Sequence, residues 1–411
     1  MTTSFESYRL VDPIRVAGVR EALLQSYFSD FDPAFLDTPA GQADVADHVD
    51  RRYNLCVDHV LPWLARYIDL GSANIVELGC GTGSSTAAFA QVARHVSGYD
   101  IHAASVSGAR SRMRALGLDN VTLSAGPPDA LMGTLKQQHA DGVDVFMLYA
   151  VLEHQTPAER LAALRTGWEM LRPGGLLVVV DTPNRLVYSD GHTSLMPFFH
   201  LLPPELGWPY ASRSPRAAFR DAMANVSEAD APMLLTRWGL GASHHELELA
   251  LGELEPLLVG TGFEPEVLSM FPVTFDEELL RLFVEQSGLP VPLAFTRYTL
   301  NFVLRKGDNA DFIARRTAPP PLRHVTHTTT AGARIQALEQ RVSADAQLLQ
   351  AQARHIQELE QRIATDSREP QRSEPPLRHQ LVDRLNGAFK KTALHGQARK
   401  LVEWSLKRGS R

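Results

Sequence analysis

The feature that most constrains the fold is a glycine-rich turn between an apolar run and a helix-like stretch, NIVELGCGTGSSTAAF at 74–89. Gly79, Gly81 and Gly83 are spaced by two and follow Glu77. Glycines let the backbone take unusual conformations and approach a ligand closely. The helix N-terminus beyond them favours negative charge. A strand, a glycine turn and a helix in succession are typical of nucleotide sites in doubly wound folds.

Short apolar runs alternate with amphipathic stretches between residues 73 and 184. The runs are 75–78, 95–99, 121–123, 143–148 and 176–180. Short buried strands separated by helices predict a parallel sheet with helices on both faces. After an interruption, we expect a helix over 251–258, a strand over 263–270 and a final strand over 296–304.

Composition divides the chain into further segments. The predicted organisation is an N-terminal helical segment at 1–45, a domain at 46–306 with a helical insertion or lid at 186–245, a linker at 307–332, a coiled coil at 333–365, a second linker at 366–376 and a basic amphipathic tail at 377–411. Apolar residues recur every seven positions from Ile335 to Ile363, as the a positions of a coiled coil would. This pattern predicts a homo-oligomer; a solitary solvated helix is the alternative.

Net charge and cysteine content limit the cellular compartments and the binding partners that fit this chain. The 411-residue chain has a net charge of -6 and two cysteines, Cys56 and Cys80. The tail at 377–411 carries nine Lys or Arg against two acidic residues, a net of +7, so the rest carries -13. An acidic body argues against nucleic-acid binding, and sparse cysteine fits a reducing cytoplasm. The tail suits peripheral contact with the inner face of a membrane, a protein partner, or docking on the acidic body.

The glycine turn discriminates between ligands. A dinucleotide fingerprint would place a third glycine where Ser84 stands, which disfavours an NAD-dependent oxidoreductase. The Glu77 carboxylate would repel a pyrophosphate but could accept a hydrogen bond from an ammonium group. Asp100 ends the next strand, 21 residues beyond Gly79, where a carboxylate can bind both hydroxyls of a ribose.

These features resemble the class I S-adenosylmethionine-dependent methyltransferases, with a motif set of the UbiE/UbiG type. The later segments DVFMLYAVLEH at 144–154 and LRPGGLLVVVDTPN from Leu171 resemble the fourth-strand motif and the turn into strand five. The resemblance implies an α/β fold, a Rossmann-like doubly wound seven-stranded sheet with a helical insertion, followed here by the C-terminal coiled-coil helix. It implies S-adenosyl-L-methionine as cofactor and S-adenosyl-L-homocysteine as product. The implied cofactor-binding residues are Arg52, Glu77, Gly79, Cys80, Gly81, Gly83, Asp100, Ile101, Asp129 and Tyr149.

Methyl transfer to a hydroxyl gains from a base with a pKa near neutrality, a role that histidine suits. His192 follows strand five, over the carboxyl ends of the strands, and is the preferred candidate. His154 closes strand four and is the second. Asp181 at the end of strand five and His245 after the insertion are further candidates as polar lining of the acceptor pocket. No metal is expected; an ion held by His245 or Glu246 with Asp181 or His192 is the alternative.

The predicted function is transfer of a methyl group to a small or glycan-type acceptor, most plausibly at oxygen. Five aromatic residues of the insertion, Phe198, Phe199, Trp208, Tyr210 and Trp238, favour an organic acceptor, unless they only form the core of the lid. The alternative function is a scaffold that binds the cofactor without turnover and assembles partners through its coiled coil.

Overall fold

The computed structural model describes residues 5–322 and four later positions, all helical and exposed: Gln347, Arg354, Ile356 and Gln357. The chain divides into two compact units, Met1–Val325 and Thr326–Arg411. No helix of the described residues is long and apolar enough to cross a membrane.

Three predicted segments fall largely outside the described residues. The coiled coil at 333–365 is described only at the four isolated positions, and the linker at 366–376 and the tail at 377–411 are not described at all. These three segments therefore stay predictions.

Seven strands form one mixed sheet in the order β3-β2-β1-β4-β5-β7-β6. They are β1 (Asn74–Leu78), β2 (His95–Asp100), β3 (Val121–Ala125), β4 (Val143–Tyr149), β5 (Leu171–Pro183), β6 (Leu258–Gly260) and β7 (Thr299–Arg305). The first five strands are parallel, whereas β7 is antiparallel to both β5 and β6. The Rossmann-like seven-stranded fold is confirmed.

The parallel sheet predicted for residues 73–184 is confirmed, whereas β7, which lies beyond that range, is antiparallel to its neighbours. The five central residues of β7 are all buried, like those of a parallel strand covered on both faces. Such a run has the same apolar pattern in either direction, so the sequence did not reveal its orientation.

The strand order reverses between β1 and β4, which lie side by side. Ligands of open α/β sheets bind at such a reversal, beyond the carboxyl ends of the strands. The glycine turn after β1 and the segment after β4 therefore meet at this edge.

The described residues before β1, from residue 5 onward, are mostly helical. They form α1 (Pro13–Leu24), α2 (Pro33–Leu36), α3 (Pro39–Ala46), α4 (Arg52–Leu55) and α5 (Leu61–Leu64), with π-helical segments at Asp47–Arg51 and Cys56–Val60. Asp12, Asp32 and Thr38 cap the first three helices through their side chains. Buried side chains of this segment belong to the same hydrophobic core as the strands, so it forms part of the fold that carries the site.

Four helices connect the parallel strands: α6 (Ser84–Ala90), α7 (Ala103–Leu116), α8 (Pro128–Gln138) and α9 (Pro157–Met170). The α9 start shows why the sequence begins a helix there. Thr156 and Glu159 form a capping box, and Pro157 occupies the first helical position, where its missing N–H costs nothing.

The insertion after β5 is helical and has its own core. It contains α10 (Pro204–Tyr210), α11 (Ala217–Ala224) and α12 (Ala231–Trp238) and leads into α13 (His244–Leu251). Phe199 is buried in the insertion's hydrophobic cluster, and Trp208 and Trp238 pack against it, whereas Phe198 and Tyr210 are exposed. Three of the five aromatic residues therefore serve the lid's own core.

Two expectations for the end of the domain are wrong. The helix expected over 251–258 ends at Leu251, because Gly252 adopts a φ of +82° and stops it. The strand expected over 263–270 is instead α14 (Pro265–Met270), which begins at a proline in the first helical position. The strand expected over 296–304 is confirmed as β7, after α15 (Phe275–Ser287), and α16 (Ala310–Ile313) follows it.

Candidate functional site

The three glycines of the turn all adopt positive φ angles, +80° at Gly79, +52° at Gly81 and +75° at Gly83. A Cβ added to Gly79 would lie 2.4 Å from Cγ2 of Val151, so no side chain fits between the turn and the segment after β4. A Cβ added to Gly81 would meet nothing within 4 Å. The backbone at Gly81 therefore borders open space, where a ligand can approach it.

Two buried carboxylates hold the turn in place. Glu77 accepts hydrogen bonds from the hydroxyls of Ser85 and Thr86, which ties β1 to the first turn of α6. Asp100 accepts the N–H of Gly81 at 2.8 Å through one oxygen and the N–H of His102 at 2.8 Å through the other. Because each carboxylate oxygen accepts about two hydrogen bonds, both groups keep acceptor capacity for a ligand. Burial raises the pKa of Glu77 to about 7.

A buried arginine, not anticipated from the sequence, fastens the N-terminal helices to the turn. Arg112 on α7 donates to the carbonyls of Thr82 and Val49, each at 2.9 Å, and to that of His48. The Thr82 hydroxyl contacts Nδ1 of His48 at 2.9 Å, and Ser84 donates to the His48 carbonyl at 3.2 Å. Burial lowers the pKa of His48 to about 4. The available sequence signal was a cation on the apolar face of α7, which also buries its neighbour Met113.

The remaining candidate cofactor residues surround this turn. Tyr149 ends β4, where burial raises its pKa well above the usual value. Burial likewise raises the pKa of the Cys80 thiol. Arg52 forms an ion pair with Asp47 and is more than half exposed. Its charge counteracts the upward shift of the Asp181 pKa that burial causes.

Two candidates for adenine contact lie at the surface. Ile101, which follows β2, is 42% exposed. Asp129, in the first turn of α8, is also exposed. Both positions leave the side chains accessible, and their contacts with a cofactor stay predictions.

A cavity of about 170 Å³ opens beside the end of β5. Its lining includes Asp181 and His192, as well as Asp190, His200 and Tyr298. Asp181 adopts a φ of +55°, unusual for a residue with a side chain, and its N–H donates to Asn301 at 3.0 Å. Burial raises the pKa of Asp181 to about 6 and lowers that of His192 to about 4.

The two histidines preferred as bases lie together. The rings of His154 and His192 are 5.4 Å apart, and the buried Glu153 lies against His154, with Oε1 3.7 Å from Nε2. Ligand atoms of these three residues lie within 4.8 Å of one another. Glu153 belongs to the motif at 144–154, but nothing in the sequence joins it to His192, which is 39 residues further along the chain.

His245 does not line this cavity. Its ring stacks on that of His244, with the ring centres 3.8 Å apart, and its Nδ1 contacts the Ser243 hydroxyl at 3.3 Å. Glu246 bonds the buried Arg160 at 2.8 Å and completes the capping box of α13. The structure therefore separates His245 and Glu246 from the cluster of Glu153, His154 and His192.

The chain is similar in sequence to known methyltransferases. Residues 75–175 match a family described as a methyltransferase domain. A relative from Mycolicibacterium smegmatis, named a probable S-adenosylmethionine-dependent methyltransferase, is 34% identical over 127 residues, 30% of this chain and 44% of the relative. A similarly named protein from Mycobacterium tuberculosis is 29% identical over 158 residues, 38% of this chain and 50% of the relative. The chain thus spans about half the length of these curated relatives.

Solved structures similar to this chain include two methyltransferases. One is magnesium protoporphyrin IX methyltransferase from Synechocystis with bound cofactor, at 20% identity and a TM-score of 0.29, covering 42% of this chain and 77% of that chain. The other is an amino pentose methyltransferase from Micromonospora echinaspora, at 30% identity and a TM-score of 0.22. The match covers 34% of this chain and 48% of that chain. Such scores assign no residue of this chain a role. Residues 75–175 are thus similar to a methyltransferase domain, and the curated relatives are named as probable S-adenosylmethionine-dependent methyltransferases.

Proposed function

We propose that this chain is an S-adenosylmethionine-dependent methyltransferase that acts on an oxygen atom of a small or glycan-type acceptor. The observation that carries the proposal is the turn itself. Asp100 holds the N–H of Gly81 at 2.8 Å, and the space beside Gly81 is open. A ligand bound there meets a carboxylate with free acceptor capacity on one side and the N-terminus of α6 on the other. This combination suits a ribose and an amino-acid carboxylate.

The cavity beyond β5 supports an acceptor of modest size. Its volume of about 170 Å³ would hold one ring or one sugar unit, and it lies at the carboxyl edge of the sheet, as the turn does. The insertion covers this edge through Arg237, which donates to the His154 carbonyl at 2.8 Å. Excluding water protects a reactive methyl donor from hydrolysis.

The titratable groups that line the cavity support oxygen as the target. Asp190 accepts hydrogen bonds from the backbone of His192 and Ser194, and the ring of His200 contacts the Val187 carbonyl at 2.7 Å. Asp181 and His192 are then the groups best placed to accept the proton of a hydroxyl. A hydroxyl acceptor needs such a group, because its oxygen loses a proton as the new bond forms.

The protein's part in the reaction is chiefly one of positioning. S-adenosylmethionine supplies a methyl group made electrophilic by its sulfonium. The turn and Asp100 orient the donor, the cavity orients the acceptor, and alignment of the reacting atoms provides most of the advantage. The acceptor oxygen forms a bond to the methyl carbon, the carbon–sulfur electron pair stays on sulfur, and the hydroxyl proton leaves to a cavity group.

Calorimetry with S-adenosylmethionine, S-adenosylhomocysteine and NAD tests the cofactor assignment. We expect both sulfur compounds to bind and NAD not to bind. Asp100→Asn should weaken binding by at least about 10-fold, or about 1.4 kcal/mol. The matched control is Asp119→Asn, an exposed aspartate before β3 that should leave binding unchanged. NAD binding in place of the sulfur compounds would overturn the proposal.

Transfer of a labelled methyl group to a panel of monosaccharides, nucleotide sugars and phenols tests the activity. We expect at least one hydroxyl compound to be labelled, and labelling to fall in Asp100→Asn. Tight cofactor binding without transfer to any hydroxyl acceptor would favour the non-catalytic scaffold.

We also propose that residues 333–365 associate copies of the chain, and that the tail at 377–411 contacts an acidic protein or an anionic membrane surface. The heptad spacing supports the first part and the net charge of +7 supports the second. Light scattering of the full chain and of a chain ending at Val325 tests self-association. We expect a dimer or larger species only with the full chain. If both chains form particles with the same number of copies, self-association through residues 333–365 is refuted.

A further inference from the structure

One polar cluster at the sheet edge contains a buried carboxylate that forms no ion pair with an arginine or lysine of the described residues, although the charge of Arg160 acts on it from further away. Glu153 is 0% exposed, and the salt bridges of the described residues give it only His154, with no arginine or lysine. One oxygen, Oε2, accepts a long hydrogen bond from Thr182 at 3.4 Å. The other, Oε1, is buried with no hydrogen-bond partner. Buried carboxylates are normally paired or bind a metal ion.

His154 faces this unpartnered oxygen, and a ring nitrogen of His192 lies within 4.8 Å of ligand atoms of both residues. Nδ1 of His154 lies 2.8 Å from the Arg237 carbonyl, a contact in which the ring nitrogen must be the donor. That bond fixes the tautomer, so Nε2 of a neutral ring carries a lone pair and points toward Oε1 of Glu153. The 3.7 Å between these two atoms is too long for a hydrogen bond. It suits two ligands that each lie about 2.1 Å from a common ion.

Backbone contacts fix the segments that carry Glu153 and His192. The N–H of Leu240 donates to the Glu153 carbonyl, and Thr193 donates through its hydroxyl to the Trp238 carbonyl at 3.0 Å. Gly239 lies against two of the ligands: an added Cβ would be 2.9 Å from the His192 ring and 3.3 Å from Cγ of Glu153. The bond from Nδ1 of His154 to the Arg237 carbonyl also fits a metal site, because metal-binding histidines commonly donate their second N–H to a carbonyl.

We propose that Glu153, His154 and His192 bind a divalent transition-metal ion beside the cavity. Two imidazoles and one carboxylate form a ligand set that binds Zn²⁺ with an open position, whereas Mg²⁺ prefers oxygen ligands. Because His192 also lines the cavity, an ion bound by it would lie next to the space for the acceptor.

The role of the ion rests on the proposed methyl transfer, although binding of the ion does not. An acceptor hydroxyl bound at the open position loses its proton more readily, because a divalent cation lowers the pKa of a bound oxygen. The proton passes to Asp181, whose charge is felt at Glu153 and which lines the same cavity. His192 is then a ligand that positions the acceptor, and Asp181 is the proton acceptor.

The test is equilibrium dialysis of the full chain, made without a polyhistidine tag and cleared of ions by a chelator. We expect one Zn²⁺ or Co²⁺ per chain, visible absorption of the Co²⁺ form, and no comparable binding of Mg²⁺. Glu153→Gln and His192→Ala should each weaken Zn²⁺ binding by more than about 100-fold, beyond the effect of an outer contact. Gly239→Ala, which removes no ligand, should weaken it by about 10-fold or more.

The matched control is His95→Ala. His95 is the first residue of β2, at the opposite edge of the sheet from the cluster, and contacts Thr122 at 3.0 Å. It should bind Zn²⁺ as the unmodified chain does. Circular dichroism and cofactor calorimetry on every variant establish that each is folded.

The metal inference is overturned if the folded chain binds no Zn²⁺ or Co²⁺ at one equivalent. It is equally overturned if folded Glu153→Gln and His192→Ala bind as well as His95→Ala does. Stoichiometric Zn²⁺ without any binding of S-adenosylmethionine would leave the metal site standing and refute the proposed function. If the chain binds S-adenosylmethionine but no Zn²⁺ or Co²⁺, the proposed function stands and the metal site is refuted.

Discussion

Replacing Arg112 by methionine should both destabilise the fold and weaken cofactor binding. The guanidinium is fully buried and donates to three backbone carbonyls, those of His48, Val49 and Thr82. A buried carbonyl left unpaired costs about 1–3 kcal/mol. Ser84 would still donate to the His48 carbonyl, so the carbonyls of Val49 and Thr82 together cost at least about 2 kcal/mol. Burial lowers the pKa of Arg112 to about 10, which shows that the charge is itself costly to bury. We therefore expect the lower limit, a loss of about 2 kcal/mol.

The cofactor site should respond because Thr82 belongs to the glycine turn. Without Arg112, the turn is less firmly fastened to the N-terminal helices, and we expect S-adenosylmethionine to bind at least about 10-fold more weakly, or about 1.4 kcal/mol. Urea unfolding measures the first effect and calorimetry the second.

Arg114→Met is the matched control for this change. Arg114 lies on the same helix, is exposed and bonds only to neighbouring positions of α7, so it should change stability by less than about 0.5 kcal/mol. If Arg112→Met matched Arg114→Met in both measurements, Arg112 would not be the fastening of the turn.

Three further substitutions test individual side chains of the site. Gly79→Ala should reduce cofactor affinity by at least about 10-fold, because a Cβ would lie 2.4 Å from Val151 at a φ of +80°. Adding Val151→Ala should restore only part of it in calorimetry; complete recovery would show that backbone strain is unimportant. Burial raises the pKa of Glu77 from 4.5 to about 7, so its contribution to stability is present below pH 4.5 and is lost as the pH rises through 7. Relative to Glu77→Gln, the unmodified chain should lose about 1–3 kcal/mol between pH 5 and 8 in urea unfolding; a gain over that range would contradict the assignment. Asp181→Asn should keep the melting temperature, because asparagine tolerates the positive φ, while labelled methyl transfer falls by at least about 10-fold. A parallel fall in melting temperature would point to a structural role.

Most of the sheet could be predicted from the sequence, because its strands are specified locally. The apolar runs at 75–78, 95–99 and 143–148 match β1, β2 and β4, and the alternation with helices gave the fold class. The end of the domain was harder, since the stretch at 263–270 is apolar enough for a strand and yet begins a helix at Pro265. There, proline at the first helical position outweighed the apolar pattern.

The sequence alone determined the turn and the class of cofactor expected in it. Gly79, Gly81 and Gly83 meet a local steric requirement, and the spacing of Glu77 and Asp100 follows from the strand lengths. Only the tertiary structure decided which residues converge on that turn. Arg112 reaches it from α7. Glu153 and His192 are 39 residues apart and come together because the segment after β5 folds back against the segment after β4. Periodicity reports on neighbours along the chain, whereas the packing of separate elements decides which side chains share one buried site.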